Sequence, residues 1–392
     1  MSYYFHRMKA RLIIYFFLLL SLSVTAQTKR AIVIGLGEQQ DKAWNKINGD
    51  KDVPIVQGML KEAGFRSVTT LVNRQATKAG IVGALKRMAA SCRKGDVVYV
   101  HYSGHGQQMT DVHNDEADGL DECWIPYDAY RKASAKYHGE KHLTDDELNV
   151  YLNAIRNRIG AKGKLLVVID ACHSGDATRG DDDDVVRGAS DTLEVDAQNA
   201  RGLEEAFEAV KSFLMGDKSK DVVINSKAKP LAERWITLSA CRSDQVNIEM
   251  KSPAVGKLTY ALRQELKKNG KMGNGEFMKR LRRFVNANTS SRPQQPVLTG
   301  DDKYKYNITD ILRKKRLKQY TCARRNRRRK PVLLQVCMTR TGRYSPNCML
   351  TALIISGQTA RVCSSLTTIP LWRYSRTHSS RFGRRLSKGR FM

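Results

Sequence analysis

At 392 residues the chain is long enough for one large domain, or two ordinary ones, with a well-buried core. Its formal charge of +29 suggests a binder of polyanions, yet all 39 acidic residues precede position 311, together with 47 of the 68 basic ones. The body is therefore near balance, the excess belongs to the last 82 residues, and the absence of CxxC spacing among the eight cysteines argues against a structural zinc site.

Taken in chain order, Arg7, Lys9 and Arg11 precede a largely apolar run from Leu12 to Val24 that ends in Val24-Thr25-Ala26. This is the three-part layout of a secretory signal over 1–26, and the run is short of the roughly 20 residues a membrane span needs. An exported protein, periplasmic or extracellular, with no membrane span after signal removal is expected.

From there, short apolar runs alternate with helically spaced segments. Ala31–Leu36, Asp96–Tyr102, Lys164–Ala171 and Trp235–Ala240 read as buried strands, with a weaker one at Ser67–Val72. Helices are predicted over Val53–Ala63, Thr77–Cys92, Asp145–Arg158, Leu203–Leu214, Gly256–Lys268 and Glu276–Asn286. Alternation of this kind predicts an α/β fold with a mostly parallel central sheet flanked by helices on both faces. Cys92, Cys123 and Cys241 are expected as small buried hydrophobes. The polar, Gly/Ser-rich stretch 176–230 reads as an exposed, flexible insertion between the two halves of one sheet.

The tail 311–392 has Arg-Arg-Asn-Arg-Arg-Arg-Lys and no acid. Three readings compete for it: a basic disordered segment touching nucleic acid or an anionic surface, a non-native end produced by a shifted reading frame, or a folded module.

Two strand ends carry the chemistry. Val97-Val98-Tyr99-Val100-His101-Tyr102-Ser103-Gly104-His105-Gly106 and Leu165-Leu166-Val167-Val168-Ile169-Asp170-Ala171-Cys172-His173-Ser174-Gly175 each deliver a reactive side chain into a glycine-bounded turn. If the strands are neighbours, His105 and Cys172 emerge side by side. A free thiol is only a few per cent thiolate at neutral pH, and an adjacent imidazole activates it and then protonates the leaving amine. Backbone N–H groups of Gly106 and Cys172 are the candidate oxyanion donors.

These motifs resemble the two signatures of metacaspases and bacterial caspase-like peptidases. The resemblance extends, in order, over about residues 30–300. It includes Asn48-Gly49-Asp50-Lys51-Asp52, Asp115-Glu116-Ala117-Asp118-Gly119-Leu120-Asp121-Glu122, Ile125-Pro126-Tyr127-Asp128, and Ser239-Ala240-Cys241 with Gln245 and Glu249, then Gly256 and Thr259. It implies a caspase-like peptidase domain over 27–310, with a large-subunit-like half to about 175 and a small-subunit-like half over 231–310.

It also implies a cysteine endopeptidase that cuts after Arg or Lys through a thioester acyl-enzyme, with peptides or proteins as substrate and no cofactor required for the chemistry. Asp170 and Ser103 lie two residues before the nucleophile and the histidine, so alternation turns them the same way. Together with Asp52, which aligns with the family's remaining pocket acid, they are expected to bind a basic side chain. The family usually has Asn-Asp where this chain has Lys51-Asp52.

Calcium as an activator is left open by Asp145 and Asp146. These match part of a family site and equally make an ordinary helix start. Self-processing in the insertion is expected, with Arg179, Arg187, Lys218 and Lys220 as candidates. A catalytically silent relative and a clostripain- or gingipain-type peptidase are the alternatives; oligomeric state is not legible.

Overall fold

The computed structural model describes residues 27–112, 116, 118–172, 184–215, 233–268, 270–288, 292–313, 333–337, 350–356 and 359–363. The expected signal 1–26 and the candidates Arg179, Lys218 and Lys220 lie outside the described residues.

Six strands form the central sheet: β1 (Lys29–Gly35), β2 (Ser67–Val72), β3 (Val97–Ser103), β7 (Lys164–Asp170), β8 (Ile236–Ser239) and β9 (Val297–Thr299). Their order is β2-β1-β3-β7-β8-β9, parallel throughout except for β9, which runs antiparallel along β8. The α/β expectation holds. Antiparallel β9 was not foreseen, because three residues carry too little periodicity to read.

Side chains alternate across each strand, so the apolar runs divide between two faces. Ala31, Val33, Tyr99, Leu166 and Val168 pack with helices α1 (Gly49–Ala63), α5 (Lys257–Lys267), α6 (Asn274–Ala287) and α7 (Ile308–Leu312). Ile32, Ile34, Val98, Val100, Leu165 and Val167 pack on the opposite face with α2 (Lys78–Ser91) and α3 (Asp145–Ile159). Thr77 and Thr144 start α2 and α3 by accepting from the N–H groups of Gly80 and Glu147.

Three departures from expectation matter. First, the stretch after His105 forms a small antiparallel sheet of β4 (Gly106–Thr110), β5 (Leu120–Trp124) and β6 (Leu143–Thr144). Second, part of the insertion is neither exposed nor loose. Ala189, Leu193 and Val195 are buried against Trp44, Met109 and Tyr137, and α4 (Ala197–Met215) follows. Single apolar residues spaced through polar text give no periodic signal, although each still finds a pocket.

Third, the domain does not end at 310. Ile311 and Leu312 are buried with the α1 face of the core, and Lys29 Nζ donates to the carbonyl oxygens of Ile311 and Arg313.

Cys92, Cys123 and Cys241 are buried, as expected, and none of the three is in a disulfide. No described helix is long and apolar enough to cross a membrane. Residues 317–392 are a separate unit, in which β10 (Leu333–Cys337), β11 (Leu350–Ser356) and β12 (Thr359–Cys363) pair antiparallel.

Candidate active site

Strands β3 and β7 are in register, with Ser103 opposite Asp170. His105 and Cys172 follow these residues by two positions each, so the two reactive groups leave adjacent strand ends side by side. Both are buried. The His105 ring lies against Trp44, with ring centroids 5.0 Å apart, and its Nε2 lies 2.8 Å from the Asn45 carbonyl oxygen.

That contact puts the ring hydrogen on Nε2, and Nδ1 is buried without a hydrogen-bond partner. Burial pushes the imidazole down to about 4, against the lift from the Asn45 carbonyl, and the charges of Arg187 and Arg131 add to the fall. A neutral ring with a bare Nδ1 is the form a general base requires.

The Cys172 thiol donates to the Gln245 carbonyl oxygen at 3.0 Å, and the Cys241 thiol donates to the same oxygen at 3.3 Å. A hydrogen bond with Cys172, followed by burial, holds the Cys241 thiol well above the usual range.

The face of β3 and β7 that carries Ser103 and Asp170 is the one covered by α1 and α5. There the sheet meets Asp52 of α1 and Thr259 of α5. Asp52 accepts from the Gly256 N–H and the Ser103 hydroxyl, each at 2.8 Å. Asp170 accepts from Asn247 Nδ2 at 2.8 Å, and from both the N–H and the hydroxyl of Thr259 at 2.8 and 2.6 Å. All three expected pocket residues are fully buried. Lys51, where the chain departs from the family's usual residue, is exposed and turned away.

The group lying between these carboxylates is Arg187 of the insertion. Its Nη1 is 2.7 Å from Asp52 Oδ2 and 3.5 Å from Asp170 Oδ1, and its Nε donates to Glu249 Oε1 at 2.9 Å. Glu249 is in turn held by the backbone N–H of Asn48 at 2.7 Å and by the Asn48 side chain. Desolvation disfavours the Arg187 charge, but the three carboxylates around it more than compensate and raise its pKa.

Burial raises Asp52 to about 6 even beside that guanidinium. Burial acts in the same direction on Asp170, but the charge of Arg187 and the hydrogen bonds from Thr259 and Asn247 hold it below the usual carboxylate range.

The backbone of Arg187 is placed as carefully as its side chain. The Cys172 N–H donates to the Arg187 carbonyl oxygen at 2.8 Å, and the Arg187 N–H donates to the Asn247 carbonyl at 2.9 Å. One step earlier the Glu249 N–H donates to Val185 O at 2.9 Å, and Val186 bridges Ile248 in antiparallel fashion. An extended peptide added along an edge in this way is a common recognition mode.

Two residues after Arg187 the Ala189 N–H donates to Gly106 O at 3.0 Å. Gly106 thus engages the segment through its carbonyl, and Cys172 through its N–H. Residue 188 is glycine because a Cβ there would collide with the Cys172 carbonyl, and Gly256 closes the pocket where any Cβ would strike both aspartates and the guanidinium.

Both calcium candidates stand in the first turn of α3. Asp145 is half-buried, and desolvation followed by Asp146, Asp121, Glu122 and Glu116 pushes its carboxyl well above the usual range. Its Oδ1 has no hydrogen-bond partner. Asp146 is half-buried. Among the described residues no group of three or more His, Cys, Asp or Glu side chains is placed to hold a metal ion.

Sequence reasoning missed Asn45 and Asn247, and it noticed Glu249, Gly256 and Thr259 only as part of a family pattern, with no role in the site. The last four lie at least 75 residues after Cys172 in the chain, and no local spacing announces them.

The family model described as "Caspase domain" matches residues 28–332. The chain belongs to the caspase-domain family. Among curated relatives, metacaspase-1A of Aspergillus niger is 27% identical over 240 residues, covering 56% of this chain and 56% of that protein. Metacaspase-1 of Schizosaccharomyces pombe is 24% identical over 299 residues, covering 69% and 67%. The chain thus spans about half to two thirds of the length of these curated relatives.

Among solved structures, a Geobacter sulfurreducens protein aligns with a TM-score of 0.47 at 25% identity over 69% of this chain and 92% of that one. Caspase-1 from Spodoptera frugiperda aligns at 0.45 and 15% identity over 70% and 86%. The matched span takes in both His105 and Cys172.

Proposed function

We propose that this caspase-domain protein is a cysteine endopeptidase that cleaves after Arg or Lys, and that its first substrate is its own Arg187–Gly188 bond. One observation carries the reading. The Arg187 side chain occupies the Asp52, Asp170 and Glu249 pocket while its carbonyl oxygen accepts from the N–H of Cys172. A basic side chain held by ionised acids through charge-assisted hydrogen bonds explains the preference, and a planar guanidinium suits the carboxylate geometry especially well.

In the reaction, the Cys172 thiol gives its proton to Nδ1 of His105 and sulfur attacks the carbonyl carbon of residue 187. The Cys172 N–H stabilises the oxyanion. The bond to the Gly188 nitrogen then breaks, His105 returns the proton to that amine, and a thioester remains. Water, deprotonated by the same imidazole, hydrolyses the thioester to the Arg187 carboxylate and the free thiol. The Asn45 carbonyl orients the ring throughout. No step draws on a metal ion; calcium is proposed only as an activator acting elsewhere.

While the Arg187 segment lies in place no other substrate can enter, so cleavage of external peptides follows its departure. The test is hydrolysis of fluorogenic peptides ending in Arg, Lys or Asp, with and without calcium, by wild type and Cys172→Ala. Mass spectrometry of the protein is recorded in parallel. Cleavage after Arg or Lys, with new termini at Arg187 and Gly188, both lost in the variant, is expected. Cleavage after Asp would overturn the pocket assignment. Silence under every condition, including limited proteolysis of the insertion, would favour a catalytically silent relative.

A further inference from the structure

Beneath the acidic pocket lies a buried imidazole that takes no part in the chemistry above. His101 sits on β3 two residues before Ser103, on the same face of the sheet, and is fully buried. Its Nδ1 is 2.8 Å from the Tyr99 hydroxyl, and its Nε2 is 2.9 Å from Ser103 Oγ and 3.3 Å from Thr259 Oγ1.

The protons in this cluster can be assigned by counting. A hydroxyl has one hydrogen to donate. That of Ser103 goes to Asp52 Oδ2, and that of Thr259 goes to Asp170 Oδ2. Both hydroxyl oxygens therefore accept from the ring, and Nε2 carries its hydrogen. Nδ1 is then bare and accepts the Tyr99 O–H. Burial keeps the ring neutral, moving it down to about 4, against the pull of Asp170 and with a further push from Arg187. Every member has a partner in this arrangement, whereas the opposite tautomer would turn a bare nitrogen toward two hydroxyl oxygens.

We propose that His101 is a positioning residue for the primary specificity pocket. Through its Nε2–H, with the tautomer set by Tyr99, it fixes the directions of the Ser103 and Thr259 protons. It thereby holds Asp52 and Asp170 as a pre-oriented pair of acceptors for a basic side chain. The inference rests on reading that pocket as the site for substrate Arg or Lys. Without a donor at Nε2, each hydroxyl is free to turn its proton back toward position 101 and present a lone pair to a buried carboxylate.

The experiment measures kcat and KM separately on Arg and Lys peptides, using the full chain. Wild type, Asp170→Asn, His101→Leu, His101→Gln and Tyr99→Phe are compared, with thermal unfolding recorded for each. Leucine removes both hydrogen-bonding functions at similar bulk, while glutamine offers an N–H donor and a carbonyl acceptor on one side chain.

His101→Leu is expected to lose about tenfold in kcat/KM, mainly through a higher KM, as the weakening of a buried charge-assisted hydrogen bond would give. His101→Gln is expected to stay within about threefold of wild type, with Tyr99→Phe in between. Wild-type kinetics in His101→Leu, or equal impairment in the Leu and Gln variants, would overturn the proposal in favour of a packing role.

If the Leu variant does not fold, Tyr99→Phe decides: a raised KM supports the proposal and an unchanged one sinks it. Failure of the underlying pocket reading looks different. There, wild type does not cut after Arg or Lys, or Asp170→Asn costs nothing, and the inference falls with it.

Discussion

Asp52 and Asp170 both reach Nη1 of one guanidinium, yet their surroundings separate their ionisation. Asp170 has hydrogen bonds from Asn247 and Thr259 and stays charged; at Asp52 desolvation outweighs the pull of Arg187 and raises the carboxyl to about 6. As pH falls through 6, Asp52 takes up a proton and one of the charges holding the basic side chain disappears. KM for Arg peptides is therefore expected to rise between pH 7 and pH 5. In Asp52→Asn that rise should flatten, at a KM already higher than wild type; a steady-state pH series checks both.

Asp170→Asn removes the more firmly ionised member and should lower kcat/KM on Arg peptides by roughly tenfold to a hundredfold, the usual cost of a hydrogen bond to a charged group. At this scale the sequence was informative where chemistry coincides with a strand end. His105 and Cys172 stand in glycine-bounded turns, and Ser103 and Asp170 follow from alternation. Asp52 came through resemblance. Glu249 and Thr259 came only as letters of a family pattern, without a role, and Asn247 did not come at all, because a polar residue distant in the chain looks the same whether it faces water or a buried guanidinium.

Among elements, the insertion changes its meaning most. Read as text, 176–230 is a polar linker with four basic residues suited to cleavage, and nothing in the string favours one of them. In the fold, Val185–Arg187 bridges Asn247–Glu249 in antiparallel fashion through backbone hydrogen bonds and brings Arg187 into the pocket. Arg187→Gln keeps a long polar side chain without the charge, and is expected to abolish the break after residue 187. Arg187→Lys should preserve it, more slowly. Intact-mass measurement over time reads both outcomes.

Gly256, just ahead of α5, makes a second prediction. Gly256→Ala places a methyl group among both aspartates and the incoming guanidinium. It should raise KM for Arg and Lys peptides by about tenfold or more, the scale on which lost contacts to a buried charge are felt. A normal KM in that variant would mean the basic side chain binds elsewhere.

For the molecule as a whole, the caspase-type core closes with α7. Ile311 and Leu312 complete the hydrophobic layer over α1, and burying each aliphatic side chain is worth about 1.5–3 kcal/mol. Truncation after Asp310 is expected to lower Tm markedly, whereas truncation after Arg316, where the first unit ends, should leave Tm near that of the full chain. Calorimetry of the two truncations distinguishes a boundary at 310 from one beyond the last buried residue.

What the sequence by itself determined is the part of this protein written in local pattern. That part includes the alternation of buried strands and amphipathic helices, and hence a parallel sheet covered on both sides, as well as the two glycine-flanked strand ends that carry histidine and cysteine. These are legible because strand and helix periods, and the steric needs of a tight turn, act over a few neighbouring residues. The tertiary structure alone decided the occupant of the pocket, the third carboxylate, the Asn45 carbonyl behind the imidazole and the network around His101. Each of these depends on groups far apart in the chain meeting at hydrogen-bond distance. That meeting is set by how the layers pack, and no single stretch of residues records it.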